Sequence, residues 1–195
     1  MKKKQNNRGV TMVEVIVAFA LSAIFMAAAT ALISPYTKIY LRLNAMNRVE
    51  DEVRIVSETI VNELTYATGY DTGGLYILED PDLEGFSQIK YSDKNGNPAT
   101  LRADQEKGLI IDYEGIKYPN SEDYLYEPTT WYYGKGFYKK NEVKELKFEK
   151  WADNDNKIKY TLTVESPYYS RTVTGYLECL DLTADKITAQ AEAGG

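Results

Sequence analysis

The chain contains no histidine and a single cysteine, Cys179. The first absence removes the commonest general base and the commonest metal ligand. The second excludes an intramolecular disulfide, so an exported domain built from this chain must rely on its packed core. Phenylalanine is scarce, at five residues against 17 tyrosines. Tyrosine buries a ring while its hydroxyl stays wet, which suits a thin sheet domain with many half-buried positions. Basic residues are also in deficit: 23 Lys and Arg face 29 Asp and Glu, for a net charge of −6. That balance argues against broad nucleic-acid binding, which rests on clustered positive charge. Serine and threonine are scattered, and no nucleophile–base pair stands out. Cys179 falls at an inward strand position and reads as a small core hydrophobe. The expectation is a non-enzymatic chain with no cofactor and no bound metal.

The most informative stretch is Met1–Ile33. A short basic leader with Lys2, Lys3, Lys4 and Arg8 ends at Gly9, and an apolar segment follows at once with one acid, Glu14. Val15–Ile33 is interrupted only by Ser22 and Thr30. It is long enough for a helix to cross a hydrocarbon core of about 30 Å. The basic flank predicts a single-pass orientation with the N-terminus cytoplasmic and the bulk of the chain outside. A carboxylate in a membrane helix costs about 2.5–3.5 kcal/mol at the centre and less near an end, so Glu14 wants a partner. A cut after Gly9 would give Val10 a free α-amine, cationic near neutral pH because its reference pKa is about 7.7–8.0. Glu14 lies one helical turn from that amine and can pair with it, or with the amine of a neighbouring copy. Two other readings fit part of the pattern. One is a secretory signal cut near Ala29-Thr30-Ala31; the other is an uncleaved signal anchor. Against the former, Glu14 interrupts the core, and the run exceeds the usual length of about 7–15 residues.

Gly9, Val10, Thr11, Met12, Val13 and Glu14 resemble the cleavage motif of type IV prepilins and pseudopilins, with Val10 where Phe is commoner. The resemblance implies cleavage between Gly9 and Val10 by a membrane prepilin peptidase and N-methylation of Val10. It implies residence in the membrane before assembly, and a role for Glu14 in assembly. It also implies partners: other pilin or pseudopilin subunits, a cytoplasmic ATPase and a platform membrane protein. Many pilins carry a C-terminal disulfide loop, which this chain lacks. With Val10 and a large, irregular β region, that departure points to a minor subunit. The system served could be a type IV pilus, a competence pilus or a type II secretion-like pseudopilus. The alternative is a membrane-anchored surface binding protein, an adhesin or a DNA-uptake component, in which the helix is only an anchor.

The helical pattern continues past Pro35, which is expected to kink the helix rather than stop it. Met46, Val49, Val53, Val56, Ile60 and Leu64 form one apolar face, while Arg48, Glu50, Asp51, Glu52, Arg54, Glu58 and Glu63 fill the other side. Glu50 and Arg54 make an i,i+4 pair in the favoured order. Gly69 is the expected stop. In the membrane half, Ala23, Ala27 and Ala31 form a small-xxx-small ridge suited to helix packing.

The period then changes. Strands are expected at Leu75–Leu78, Phe86–Tyr91, Leu109–Tyr113, Tyr124–Tyr126, Trp131–Tyr133 and Phe137–Tyr138. The clearest follow: Val143–Trp151, Ile158–Val164 and Val173–Cys179. Asp93–Pro98 reads as a turn, and Thr183–Gly195 as a loose tail. The expected fold is α+β: a long N-terminal helix packed on an antiparallel sheet domain. The expected organisation is a leader (1–9), a helix (10–68, with 10–34 transmembrane and 35–68 amphipathic), a β-rich head (69–182) and a tail (183–195).

Two acidic turns have calcium-like oxygens, at Asp93, Asn95 and Asn97 and at Asp153 and Asp155. Neither has the spacing of an EF-hand loop, and Asp, Asn and Gly commonly serve turns alone. Trp131–Lys140 interleaves aromatics with lysines, a pattern that suits stacking on sugars or bases. Rings packed on a sheet explain it as well.

Overall fold

The computed structural model describes residues 10–70, 73–80, 84–105, 107–133, 141–152 and 155–190. The chain divides into two compact units, Met1–Leu43 and Asn44–Gly195. A single helix, α1 (Met12–Thr65), contributes to both.

Within the first unit every described side chain is exposed. Apolar residues dominate that surface; Phe19, Ile24 and Phe25 are 75%, 66% and 80% exposed. Such a helix is stable in lipid, where its backbone bonds are satisfied within the segment. Two hydroxyls are also satisfied internally. Thr30 Oγ1 donates to the Met26 carbonyl at 2.7 Å and Thr37 Oγ1 to the Ile33 carbonyl at 2.9 Å. The helix runs through Pro35. Pro35 has no N–H for the carbonyl one turn earlier, and the helix nevertheless does not stop there.

The second unit takes its core from the other half of α1. Ala45, Val49, Glu52, Val53, Val56, Ile60 and Leu64 are the buried helix residues. All the expected stripe positions but Met46 are among them. The helix ends at Thr65, short of the expected 68. The Thr65 carbonyl accepts the Leu180 N–H at 2.9 Å, and Thr68 pairs with Ser92 in an antiparallel bridge. Gly69 therefore acts differently from a helix stop. A Cβ there would collide with the Gly73 backbone, so glycine is needed where the chain folds back on itself.

Eleven strands follow among the described residues: β1 (Leu75–Glu79), β2 (Ser87–Ser92), β3 (Pro98–Asp104), β4 (Gly108–Tyr113), β5 (Ile116–Lys117), β6 (Tyr124–Tyr126), β7 (Thr129–Tyr133), β8 (Glu142–Lys150), β9 (Lys157–Ser166), β10 (Tyr169–Glu178) and β11 (Ile187–Gln190). They form a six-stranded sheet in the order β11-β1-β2-β3-β4-β7, a three-stranded sheet β10-β9-β8 and the pair β5-β6. One core cluster joins the buried helix face to residues of both larger sheets. The α+β expectation holds, with the sheets mixed: β1 and β11 pair in parallel and the other pairs are antiparallel.

Three further sequence expectations need correction in the β unit and at its contact with the helix. Thr183–Gly195 is not a loose tail over its described part. Ala184–Lys186 forms a 3-10 turn and Ile187–Gln190 adds to the sheet edge, with Ile187 only 2% exposed. Pro98 is the first residue of β3 rather than the end of a turn, as befits a residue with no N–H to give a ladder. The Glu50–Arg54 pair is replaced by contacts across the fold. Arg54 meets Asp51 at 3.4 Å, whereas Glu50 Oε1 accepts from Arg171 and from the Tyr169 hydroxyl, each at 2.9 Å.

Glu52, expected on the solvated side, is 3% exposed and accepts a 2.8 Å bond from the Asn141 side-chain amide. Burial pushes its carboxyl above the usual range, and the Asn141 bond offsets part of that rise. A raised carboxyl means that the folded state holds this proton more tightly than the unfolded chain does. The associated stability is fully present below the unfolded pKa and is lost as pH rises through the folded one. Glu52→Gln keeps the bond partner without the charge. It should raise the melting temperature of the detergent-solubilised protein at pH 7 and leave it nearly unchanged at pH 4. Equal melts of variant and wild type at both pH values would contradict this.

Gly175 on β10 lies opposite Tyr160 on β9, whose ring covers the glycine so closely that a Cβ would overlap it. Tyr160 is itself buried. Gly175→Ala should therefore destabilise by about 1–3 kcal/mol, as overpacking does. In a Tyr160→Ala background the same change should cost almost nothing. Denaturant melts of the four proteins in this double-mutant cycle measure the coupling, and additive effects would refute it.

Candidate functional site

The start of α1 carries the expected processing and assembly residues. Val10 and Thr11 precede the helix, and Met12 is its first residue. Val10 is 74% exposed. Gly9 and the basic leader lie outside the described residues. Glu14 is held by a reciprocal arrangement with Thr11. The Thr11 backbone N–H donates to Glu14 Oε2 at 2.8 Å, and the Thr11 hydroxyl donates to the same oxygen at 3.0 Å. The Glu14 N–H in turn reaches Thr11 Oγ1 at 3.3 Å. This is a capping box, in which Thr11 and Glu14 satisfy donors that the first helical turn cannot satisfy itself. Its sequence signature, Thr-x-x-Glu before an apolar run, was present in Thr11–Glu14 but is not part of the motif reading.

The capping box gives Glu14 a second role. In the uncut chain its carboxylate already has donors, which lowers the cost of an acid in an apolar segment. An α-amine created at Val10 would have to compete with the Thr11 N–H for the same oxygen. Ala23, Ala27 and Ala31 are all exposed and lie four residues apart, hence on one side of the helix. Their ridge is open to another helix.

The remaining candidates have structural accounts. Asp93 Oδ1 accepts the backbone N–H groups of Asn95 and Asn97, each at 2.8 Å, and Asn97 Oδ1 accepts the Gly115 N–H at 3.1 Å. These are the bonds of an Asx turn. Asp153 lies outside the described residues, and Lys157 Nζ meets Asp155 Oδ2 at 3.3 Å. No group of three or more metal-ligating side chains occurs among the described residues. Cys179 is fully buried, and desolvation, aided by the Glu178 charge, pushes its thiol up to about 12. A thiol so protonated is a poor nucleophile. Of the aromatic–lysine stretch, Trp131–Tyr133 ends β7 and residues 134–140 lie outside the described set.

Removing the cap isolates its contribution. Thr11→Ala should weaken the first turn by about 1 kcal/mol. In micelles, amide hydrogen exchange at Met12–Val15 should accelerate, and Thr11→Ser should restore protection. Unchanged exchange in the alanine variant would show that the cap contributes nothing.

Comparison with known families bears on this segment. A family profile described as "Prokaryotic N-terminal methylation motif" matches residues 4–30. Neither the curated proteins nor the solved structures give a match to the chain. Among the described residues, α1 is the one helix long and apolar enough to cross a membrane. The motif supports a type IV pilin-like or pseudopilin subunit, a structural class not known for catalysis. The chain thus carries, over residues 4–30, the prepilin signal of type IV pilins and pseudopilins.

Proposed function

We propose that this chain is a prepilin-like precursor of a minor, non-enzymatic filament subunit. A prepilin peptidase cuts between Gly9 and Val10, and the new Val10 amine is N-methylated. The mature protein waits in the cytoplasmic membrane with its N-terminus inward, and a platform membrane protein passes it into the filament. The filament is a type IV pilus, a competence pilus or a type II secretion-like pseudopilus. The observation that carries this reading is the methylation motif lying directly on an exposed apolar helix.

Residue roles follow from the chemistry. Glycine at position 9 has no side chain to obstruct a protease approaching the backbone. The peptide after it precedes the first helical residue, so cutting there need not unwind helical hydrogen bonds. Glu14 pairs with an α-amine, its own or that of a neighbouring copy, in competition with Thr11. The Ala23–Ala27–Ala31 ridge lets the helices of adjacent subunits approach closely. The residues expected to divide the chain are 1–9 as leader, 10–34 as filament core and membrane anchor, and the remainder as the extracytoplasmic part.

Intact-mass analysis of the protein expressed with its peptidase tests the first step. The expected product begins at N-methylated Val10, and a bulky replacement of Gly9 should leave the leader attached. A mature terminus near Leu32, or loss of Met1 alone, would refute the proposal. Glu14→Ala should still be cut but should enter sheared filaments poorly. Wild-type incorporation of that variant would show that the charge pairing is dispensable.

A further inference from the structure

An α-helix is about 10–12 Å across, whereas six strands about 4.8 Å apart make a sheet about 24 Å wide. One helix covers only part of such a sheet. Here the β4–β7 edge extends beyond it, and a cleft of about 500 Å³ opens beside the end of α1. The register places its wall. Leu109 and Ile111 of β4 are fully buried in the core, and their cross-strand partners on β7 are Tyr133 and Trp131. The core-facing row thus runs out from under the helix as aromatic rings. Tyr113 and Tyr133 are half-buried in the cleft, while Tyr126 and Trp131 are 48% and 55% exposed.

The charged groups of this cleft share one sign. Glu63, Asp93 and Glu127 line it, and among the described lining residues there is no lysine or arginine. Two of these acids direct their acceptor oxygens to the protein. Glu63 Oε2 accepts the Tyr91 hydroxyl at 3.1 Å, and Asp93 takes the two turn amides and, at 3.3 Å, the Asn95 side-chain amide. Their negative field remains, with one oxygen of Glu63 and both oxygens of Asp93 engaged by the protein. Burial and the Glu63 charge both raise the phenol pKa values of Tyr113 and Tyr133, so these electron-rich rings stay neutral. Two tyrosines outside the cleft carry cations: Lys107 Nζ lies 5.9 Å from the ring centroid of Tyr132 on β7 and Lys117 Nζ 5.4 Å from that of Tyr124 on β6.

We infer that the cleft between the end of α1 and the β4–β7 edge binds a small organic cation bearing a quaternary ammonium group. Such a group has no N–H to satisfy, so it does not need the acceptors that Glu63 and Asp93 have already committed. It gains from aromatic rings and from a negative field, and this wall offers both. The inference goes beyond the assembly reading and holds whether or not the leader is removed.

The test uses full-length protein in a polyoxyethylene detergent. Trp151→Phe leaves Trp131 as the sole indole of the two in the chain. Choline chloride, titrated at constant ionic strength, should change Trp131 fluorescence saturably. The neutral isostere 3,3-dimethyl-1-butanol should bind at least about tenfold more weakly, since it lacks the charge but keeps the shape. Glu63→Gln retains an acceptor for Tyr91 and should weaken choline binding about threefold or more. Saturation transfer to the choline N-methyl protons should vanish in Trp131→Ala, and a native circular dichroism spectrum would exclude unfolding as the cause. Equal affinity for choline and the alcohol would overturn the inference, as would the absence of saturation. Binding of a neutral oligosaccharide such as maltohexaose in place of choline would assign the cleft to a glycan and overturn it likewise.

Discussion

The β-rich unit depends on the burial of one helix stripe, from Ala45 to Leu64, against both larger sheets. Burying a large aliphatic side chain contributes about 1.5–3 kcal/mol, and five such residues of this stripe, Val49, Val53, Val56, Ile60 and Leu64, are at most 5% exposed. Neither sheet could bury its inner face without them. Leu101, Leu109 and Ile111 from one sheet and Leu146, Ile158 and Leu162 from the other meet the helix in the same cluster. With no disulfide available, cohesion comes from this contact. The same constraint explains the cleft, because a single helix cannot cover a six-stranded sheet.

Polar contacts then fix how the stripe is seated. Glu50 reaches β10 through Arg171 and Tyr169, Glu52 reaches Asn141 before β8, and Glu63 reaches Tyr91 on β2. Glu50 and Glu52 share one turn of the helix and Glu63 lies about three turns on, and together they touch three different parts of the β unit. An unpaired buried carboxylate is costly, so a rotation of the helix would lose several such partners at once. The surface pairs are different in kind. Lys159–Glu149 and Lys144–Glu142, both at 2.6 Å, are largely solvated and contribute little stability.

The apolar half of α1 obeys another solvent. Its side chains are exposed, and water would disfavour them as strongly as it favours the burial of the other half. One helix thus makes two demands along its length: cover for the exposed apolar side chains of its first part, and a sheet for the buried stripe from Ala45 to Leu64. The change is written in composition, from alanine and aliphatics to an alternation of acids, arginines and aliphatics.

That change, the prepilin-like motif and the strong strands β8 and β9 were legible because each rests on local periodicity or spacing. The helix stripe is legible because a 3.6-residue period needs no partner to be recognised, although the period takes in Met46, which is not among the buried residues, and leaves out Ala45 and Glu52, which are. β3 and β11 were missed because their inward residues are mostly small: Ala99 and Ala103 in one, a lone Ile187 in the other. Strands of that kind exist through backbone pairing with a neighbour, which no local pattern announces. Glu52 looked like a solvated acid until Asn141, distant in sequence, closed over it. The acids Glu63 and Asp93, read from sequence as a helix surface and a turn, meet Trp131 and Tyr133 only in the folded unit. The sequence by itself determined an apolar helix long enough to cross a membrane and, through its spacing, the methylation motif that overlaps it; the tertiary structure alone decided that Glu52 is buried and which rings share a cleft, because those depend on contacts between residues far apart in the chain.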